Sequence, residues 1–343
     1  MPMKMVATVG AYAAENGHLE ILKYAHENGC PWDAETCSKA AEKGNLEILK
    51  YAHEHGCGWN AMTCSEAAEN GHLEVLIYSH EHGCSWTART CSGAAKKGHL
   101  EILRYAHENG CPWDMNTCTE AAAGGDLEVL TYAHENGCPW DEWTCTRAAW
   151  EGHLEIVKYA HDHGCQWDGQ TCVAAAAIGH LEILKYAHEH GCPWGAQTCS
   201  EAARMGHLET LKYAHEHGCQ WNAETCSGAA ENGHLEVLIY SHDHGCPWTA
   251  RTCDAAARRG RLKILKYAHE NGCPWNGRKC IIDGAKRGHL EVLKYAHENG
   301  CPWDENGHLE TLKYAIENGC SWNEDGLLDA DDVEVVAWVR DFL

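Results

Sequence analysis

Glycines at positions 17, 44, 71, 98, 125, 152, 179, 206, 233 and 260 stand 27 residues apart, and the register resumes at 288 and 307 after one insertion and one deletion. A period of about 20 to 50 residues marks units too small to bury an apolar face alone; they cohere by stacking on neighbours. Counted from each register glycine, cysteine falls at +13 in twelve registers (Cys30 to Cys320) and at +20 in ten (Cys37 to Cys280), which places all 22. Tryptophan occupies +15 in all twelve, leaving Trp143, Trp150 and Trp338 outside the pattern. Histidine at +1, +9 and +11, in nine, eleven and six registers, accounts for all 26. The abundance of these residue types is a multiplied motif, so no single Cys or His stands out by number. Residues 64–91 and 226–253 are nearly the same sequence, six units apart, which points to block duplication.

The pattern inside the unit gives its shape. From Leu19 to Asn28 the apolar residues Leu19, Ile21, Leu22, Tyr24 and Ala25 follow a helical period, and Gly29 sits where a left-handed helix end belongs. This is the second helix of a pair. The stretch from Asp33 to Lys43 opens on a residue suited to an N-cap, carries Cys37, Ala40 and Ala41 on one face, and ends at Gly44. This is the first helix of the next pair. The small Ala-Ala face lets helices approach closely, at the near end of the usual spacing of about 8–10 Å.

Composition narrows the function classes. Apolar residues at 44% and charged residues at 22% exclude intrinsic disorder, and no apolar run is long enough to cross a membrane. The 27 basic residues against 50 acidic ones give a net charge of −23, which repels nucleic acid and anionic membranes. Met1 to Gly10 hold one lysine and no apolar run long enough for a signal peptide, so a cytoplasmic location is expected.

The segment Thr63-Cys-Ser-Glu-Ala-Ala-Glu-Asn-Gly-His-Leu-Glu-Val-Leu, ending at Leu76, resembles the ankyrin repeat, with its Ala-Ala, two variable residues, Gly-His-Leu-Glu and an apolar pair. The match recurs at Ala13 to Glu20, Ala94 to Glu101, Ala148 to Glu155, Ala202 to Glu209 and Ala229 to Glu236. Two departures matter. The family's closing Gly-Ala-Asp is here Gly-Cys-Pro-Trp-Asp or a variant (Gly29 to Asp33), and the unit is 27 residues against the family's roughly 33. The missing residues correspond to the projecting β-hairpin. The family's core leucine is replaced by Cys37 and its equivalents. The resemblance implies an all-α, ankyrin-like helix-turn-helix solenoid of about twelve stacked repeats without long β-hairpins. It spans residues 1–343 as one array: a first helix in 1–16, repeats in 17–325, and a degenerate capping repeat in 326–343, where Asp331 to Val339 mimics a second helix without the Cys and Trp of a following unit.

Candidate chemistry is weighed against this scaffold. Equivalent cysteines of stacked units lie about 10 Å apart, beyond the roughly 4.4–6.8 Å Cα separation of a disulfide. The within-unit spacing of Cys30 and Cys37 is unlike the short Cys-x₂₋₄-Cys of zinc sites. Buried free thiols are expected, with no metal and no cofactor. His at +9 is expected to form a neutral structural ladder whose ring nitrogens satisfy loop backbone, and Trp at +15 to plug the seam left by the missing hairpin. Trp143 and Trp150, seven residues apart on one first helix, can point the same way, as core or as binding anchors. No phosphate-binding glycine loop, nucleophile elbow or His-Glu-x-x-His occurs, so no enzyme is expected.

A scaffold of this family would bind a protein partner on the exposed face of its first helices, which the varying positions Lys39, Glu66, Gly93, Glu120, Arg147, Ala174, Glu201 and Gly228 should mark. Between 251 and 287 the charge reverses: Arg251, Arg258, Arg259, Arg261, Lys263, Lys266, Arg278, Lys279, Lys286 and Arg287 face only Asp254, Glu270 and Asp283, ten against three, a local +7. Arg251, Arg258, Arg259, Arg278, Lys279, Lys286 and Arg287, with Trp143 and Trp150, are the candidate partner-binding set, the run suiting an acidic partner. A monomer is expected. The competing readings are a Cys/His metal-binding protein and a self-assembling structural element.

Overall fold

The protein is described here by a computed structural model covering residues 3–275, 280, 287 and 289–299. Among the described residues there are twenty-one helices and no strand. In the first of two compact units, residues 1–174, they run α1 (Met3–Glu15), α2 (Leu19–Glu27), α3 (Ala34–Glu42), α4 (Leu46–Glu54), α5 (Ala61–Glu69), α6 (Leu73–Glu81), α7 (Ala88–Lys96), α8 (Leu100–Glu108), α9 (Met115–Gly124), α10 (Leu127–Glu135), α11 (Glu142–Glu151) and α12 (Leu154–Asp162). Helix α13 (Gly169–Ile178) carries the division. The second unit, 175–343, holds α14 (Leu181–Glu189), α15 (Ala196–Met205), α16 (Leu208–Glu216), α17 (Ala223–Asn232), α18 (Leu235–Asp243), α19 (Ala250–Arg258), α20 (Leu262–Glu270) and α21 (Leu290–Glu298). The capping repeat expected at 326–343 lies outside the described residues.

Most first helices start at a residue whose side chain caps them. The Asp33 carboxylate accepts the Glu35 amide at 3.0 Å, Asn60 accepts that of Met62 at 2.9 Å, and Asp141 that of Trp143 at 3.1 Å, satisfying donors the helix start leaves open. The helix ends at the register glycine. Gly44 has φ +70°, and an added Cβ would meet the His72 ring at 2.5 Å. Glycine is needed twice there, for the left-handed turn and for the space. The ring occupying that space donates from Nε2 to the carbonyl of Glu42 at 3.0 Å, so the +1 histidine of one helix pair caps the first helix of the pair before it. Asn45 does the same for Ala14 at 2.8 Å.

The core is the sum of two stripes. Leu49, Leu76, Leu103 and Leu130 in the first unit, and Leu184, Leu211, Leu238 and Leu265 in the second, are fully buried on the second helices. Burial of each contributes about 1.5–3 kcal/mol. Opposite them Cys64, Ala67 and Ala68, and their equivalents, are fully buried on the first helices. Successive first helices pack on each other through these small side chains, as α3 on α5 and α5 on α7.

The seam between helix pairs is aromatic. His26 of α2 stacks on Trp32 with ring centroids 3.9 Å apart, and Tyr51 of the next second helix meets both rings edge-on, at 6.4 and 6.0 Å. His55 tilts against Tyr51 at 4.1 Å. The arrangement repeats with His53, Trp59, Tyr78 and His82, and in the second unit with His215, Trp221, Tyr240 and His244. Tryptophan thus fills the seam where a hairpin would have run.

Candidate interaction surface

The surface of the first helices is set by their phase. Position +18 is exposed on every first helix from α3 to α19: Glu35, Met62, Arg89, Asn116, Trp143, Gln170, Gln197, Glu224 and Arg251. Position +22, expected to mark the exposed face, is instead half-buried at Lys39, Glu66, Glu120, Arg147, Glu201 and Gly228 and buried at Gly93 and Ala174. The reason is the close approach of neighbouring first helices: a Cβ on Gly93 would stand 3.1 Å from Glu69 Cβ. Varying residues at +22 adapt to the adjoining helix, and +18 faces outward.

Trp143 and Trp150 both stand on the outer side of α11, 55% and 44% exposed. Arg147, between them, pairs with Glu151 at 3.6 Å. They are surface residues, whereas Trp140 and Trp167 on the seam pack against the buried Cys145, Ala160 and Cys165. Met62, Met115 and Met205 are also exposed large apolar residues of the first helices, which the sequence reading missed. The signal was present: Met62 shares the +18 position with Trp143.

The basic run of the second unit is divided by the fold. Arg251 and Arg258 lie on α19 beside α17, and with Glu231, Asp254, Ser227 and Ala255 they line a depression of about 140 Å³. Arg258 and Arg259 both reach Glu231 Oε1, at 3.2 and 3.1 Å, so one carboxylate offsets part of their charge. Lys263 and Lys266 stand exposed on α20, where Lys266 lies 5.4 Å from the centre of the Tyr295 ring. Arg261 takes the place of the +1 histidine, its guanidinium against Gly233. Arg287 is exposed in a turn; Arg278, Lys279 and Lys286 lie outside the described residues.

The histidine ladder is in place with its bonds redistributed. Ring nitrogens at +1 and +11, not +9, satisfy the backbone: His55, His82 and His163 donate from Nδ1 to the carbonyl four residues back at 2.8 Å. The +9 rings lie against tryptophan, and His134 and His269 each turn a nitrogen to the next tyrosine hydroxyl, Tyr159 at 3.1 Å and Tyr295 at 3.0 Å. Burial, and then the next +11 histidine, lower the pKa of His53, His134, His188 and His215.

The described cysteines are thiols rather than disulfides, and all of them except half-buried Cys30 are buried. Their partners differ from the within-unit pair Cys30 and Cys37. Cys37 on α3 has Cys57, in the loop after α4, as its neighbour. Among the described residues no group of three or more His, Cys, Asp or Glu side chains is placed to hold a metal ion, so the metal-binding reading has no site there. No described helix is long and apolar enough to cross a membrane.

No protein-family model and no curated protein matches the sequence. Among solved structures the chain is similar to the human ASB11 ankyrin repeat domain, at 19% identity and a TM-score of 0.40, over 46% of this chain and 84% of that one. The Gly-His turns, buried Ala-Ala faces and stacked helix pairs make the described residues of each unit a regular helical repeat array.

Proposed function

We propose that the array is a non-enzymatic protein-interaction scaffold whose partner docks on the outer face of the first helices. The observation that carries this reading is the exposure of Trp143 and Trp150 side by side on α11, while the other described tryptophans are drawn into the seams. Exposed tryptophan opposes solubility, and in protein interfaces it is the residue most often found as an energetic anchor. A second docking point is the basic surface of the second unit, Arg251, Arg258, Arg259 and Arg287, with Arg278, Lys279 and Lys286 continuing the charge along the sequence. In a chain of net charge −23 such a patch suits an acidic protein segment, whose carboxylates would compete with Glu231 for Arg258 and Arg259. Thiols buried in reduced form are at home in a reducing compartment, and we assign the cytoplasm. The scaffold acts as a monomer, without nucleic acid or membrane.

The test is affinity capture from native lysate with three forms of the full chain: wild type, Trp143→Ala with Trp150→Ala, and Arg251→Ser with Arg258→Ser and Arg259→Ser. The double tryptophan variant should lose at least one captured protein. The arginine variant should lose the most acidic of them, and the same protein should elute from wild type at lower salt than the rest. Equal capture by all three forms overturns the assigned surface.

A further inference from the structure

The thiols form a second recurring constellation that the scaffold reading does not use. In seven of the described helix pairs the +20 cysteine of the first helix lies against the +13 cysteine that follows it by twenty residues, in the loop closing the same helix pair. Close contacts join Cys37 with Cys57, Cys64 with Cys84, Cys91 with Cys111 and Cys118 with Cys138 in the first unit. They join Cys199 with Cys219, Cys226 with Cys246 and Cys253 with Cys273 in the second. The helix turn brings them together: the second helix runs back along the first, and its exit loop returns to the depth of Cys64. The Cys64 sulfur lies 3.9 Å from the Cys84 carbonyl oxygen, and the Cys84 sulfur 3.3 Å from that of Asn60, which caps the same first helix. Equivalent contacts to the cap residue recur at 3.1 Å for Cys57 with Asp33 and 3.2 Å for Cys219 with Gly195.

We infer that these pairs are a ladder of redox modification sites, each able to close into a disulfide that staples one helix pair, with hydrogen peroxide as the oxidant. The two sulfurs are not equivalent. The neighbouring Cys84, and then burial, raise the Cys64 thiol, and the neighbouring Cys64 lowers Cys84. Cys84 is therefore the sulfur that ionises first, and it lies at the loop, while Cys64 is wholly enclosed. The Cys84 thiolate attacks one peroxide oxygen, the O–O bond breaks, and hydroxide leaves and is protonated, giving Cys84 sulfenic acid and one water. The Cys64 sulfur then attacks the Cys84 sulfur, the S–O bond breaks, and the second water leaves with the Cys64 proton. Two thiols are oxidised by two electrons and one peroxide is reduced to two waters. Because the thiols are buried, each rung reacts only when its loop opens, so the ladder fills rung by rung with oxidant exposure. A filled rung closes a loop of about twenty residues in the unfolded chain and resists unfolding accordingly.

The experiment uses the reduced full chain, treated with graded hydrogen peroxide, alkylated in denaturant, digested with pepsin at low pH and mapped without reduction. Expected are linked peptides joining Cys64 with Cys84 and the other twenty-residue pairs, an upward shift of the urea midpoint, and reversal of both by dithiothreitol. Loss of thiols to sulfinic or sulfonic acid without links, links in scrambled pairs, or intact thiols after prolonged peroxide would each overturn it. In Cys84→Ser the Cys64 link should vanish while the other rungs still form. Cys64 linking elsewhere at undiminished yield would show that proximity does not set the pairing.

Discussion

Gly44 shows how little freedom a single position of the repeat has. Its φ of +70° is costly for any residue with a Cβ, and the space beside it is filled by the His72 ring. Gly44→Ala is expected to cost about 1–2 kcal/mol for the left-handed backbone alone, and more for the displaced imidazole. Urea unfolding would read this as a lower midpoint, and a midpoint equal to wild type would show the turn to be soft. Trp143 predicts the opposite. It is 55% exposed, so Trp143→Ala should leave the midpoint within about 0.5 kcal/mol of wild type while weakening partner capture. Gly44 could be read from the sequence, because a glycine recurring at the end of a helical run has one stereochemical reason. The exposure of Trp143 could not, because a seven-residue spacing places two rings on one side of a helix without saying what lies there.

At the scale of the helix pair, the aromatic seam couples stacking to protonation. His53 stacks on Trp59, faces Tyr78 and His82 from the next pair, and is followed by Glu54. Burial, then His82, lower its pKa, and His134, His188 and His215 behave alike with His163, His217 and His244. The sign follows from linkage: with the folded value below the unfolded value of about 6.5, the unfolded chain binds protons first as pH falls. The contribution is whole above that value and is lost as pH drops through it. The +11 position offers a control, since Asn28, Asn109, Asn136 and Asn271 make there the same 2.8 Å bond to the carbonyl four residues back that His82 makes. Replacing His82, His163, His217 and His244 by Asn should therefore keep stability at pH 8 and reduce the fall in melting temperature between pH 8 and pH 5. An unaltered fall would show that the histidine pairs are not its source. Periodicity revealed that these histidines recur, but not which ones touch. Residues in phase, such as Cys30 and Cys57, are equivalent, whereas contacts join residues out of phase, Cys37 to Cys57 and His53 to Tyr78, because the chain reverses at every turn.

At the scale of the whole molecule, stability belongs to neighbours more than to sequence. Helices α2, α4 and α14 have the same nine residues, Leu-Glu-Ile-Leu-Lys-Tyr-Ala-His-Glu. Yet Ile21 in α2 is 52% exposed, against 2% for Ile48 in α4 and Ile183 in α14, and Tyr24 is 70% exposed while Tyr51 and Tyr186 are half-buried. What differs is the helix pair standing in front: α4 has α2 to lie against, with its His26 and Trp32, whereas among the described residues no second helix stands in front of α2. In a linear array each unit adds its own stability and that of its interfaces, so a unit with one interface is the first to open. Hydrogen exchange in the first unit should accordingly be fastest in α1 and α2 and slow toward α9 and α10. The same substitution made twice tests the cause. Ile48→Ala removes a buried side chain and should cost about 2–5 kcal/mol, whereas Ile21→Ala, in an identical helix, should cost no more than about 0.5 kcal/mol. Equal losses at the two positions would mean that each helix pair is stable in its own right, which contradicts a fold built from units that cannot bury their own apolar faces.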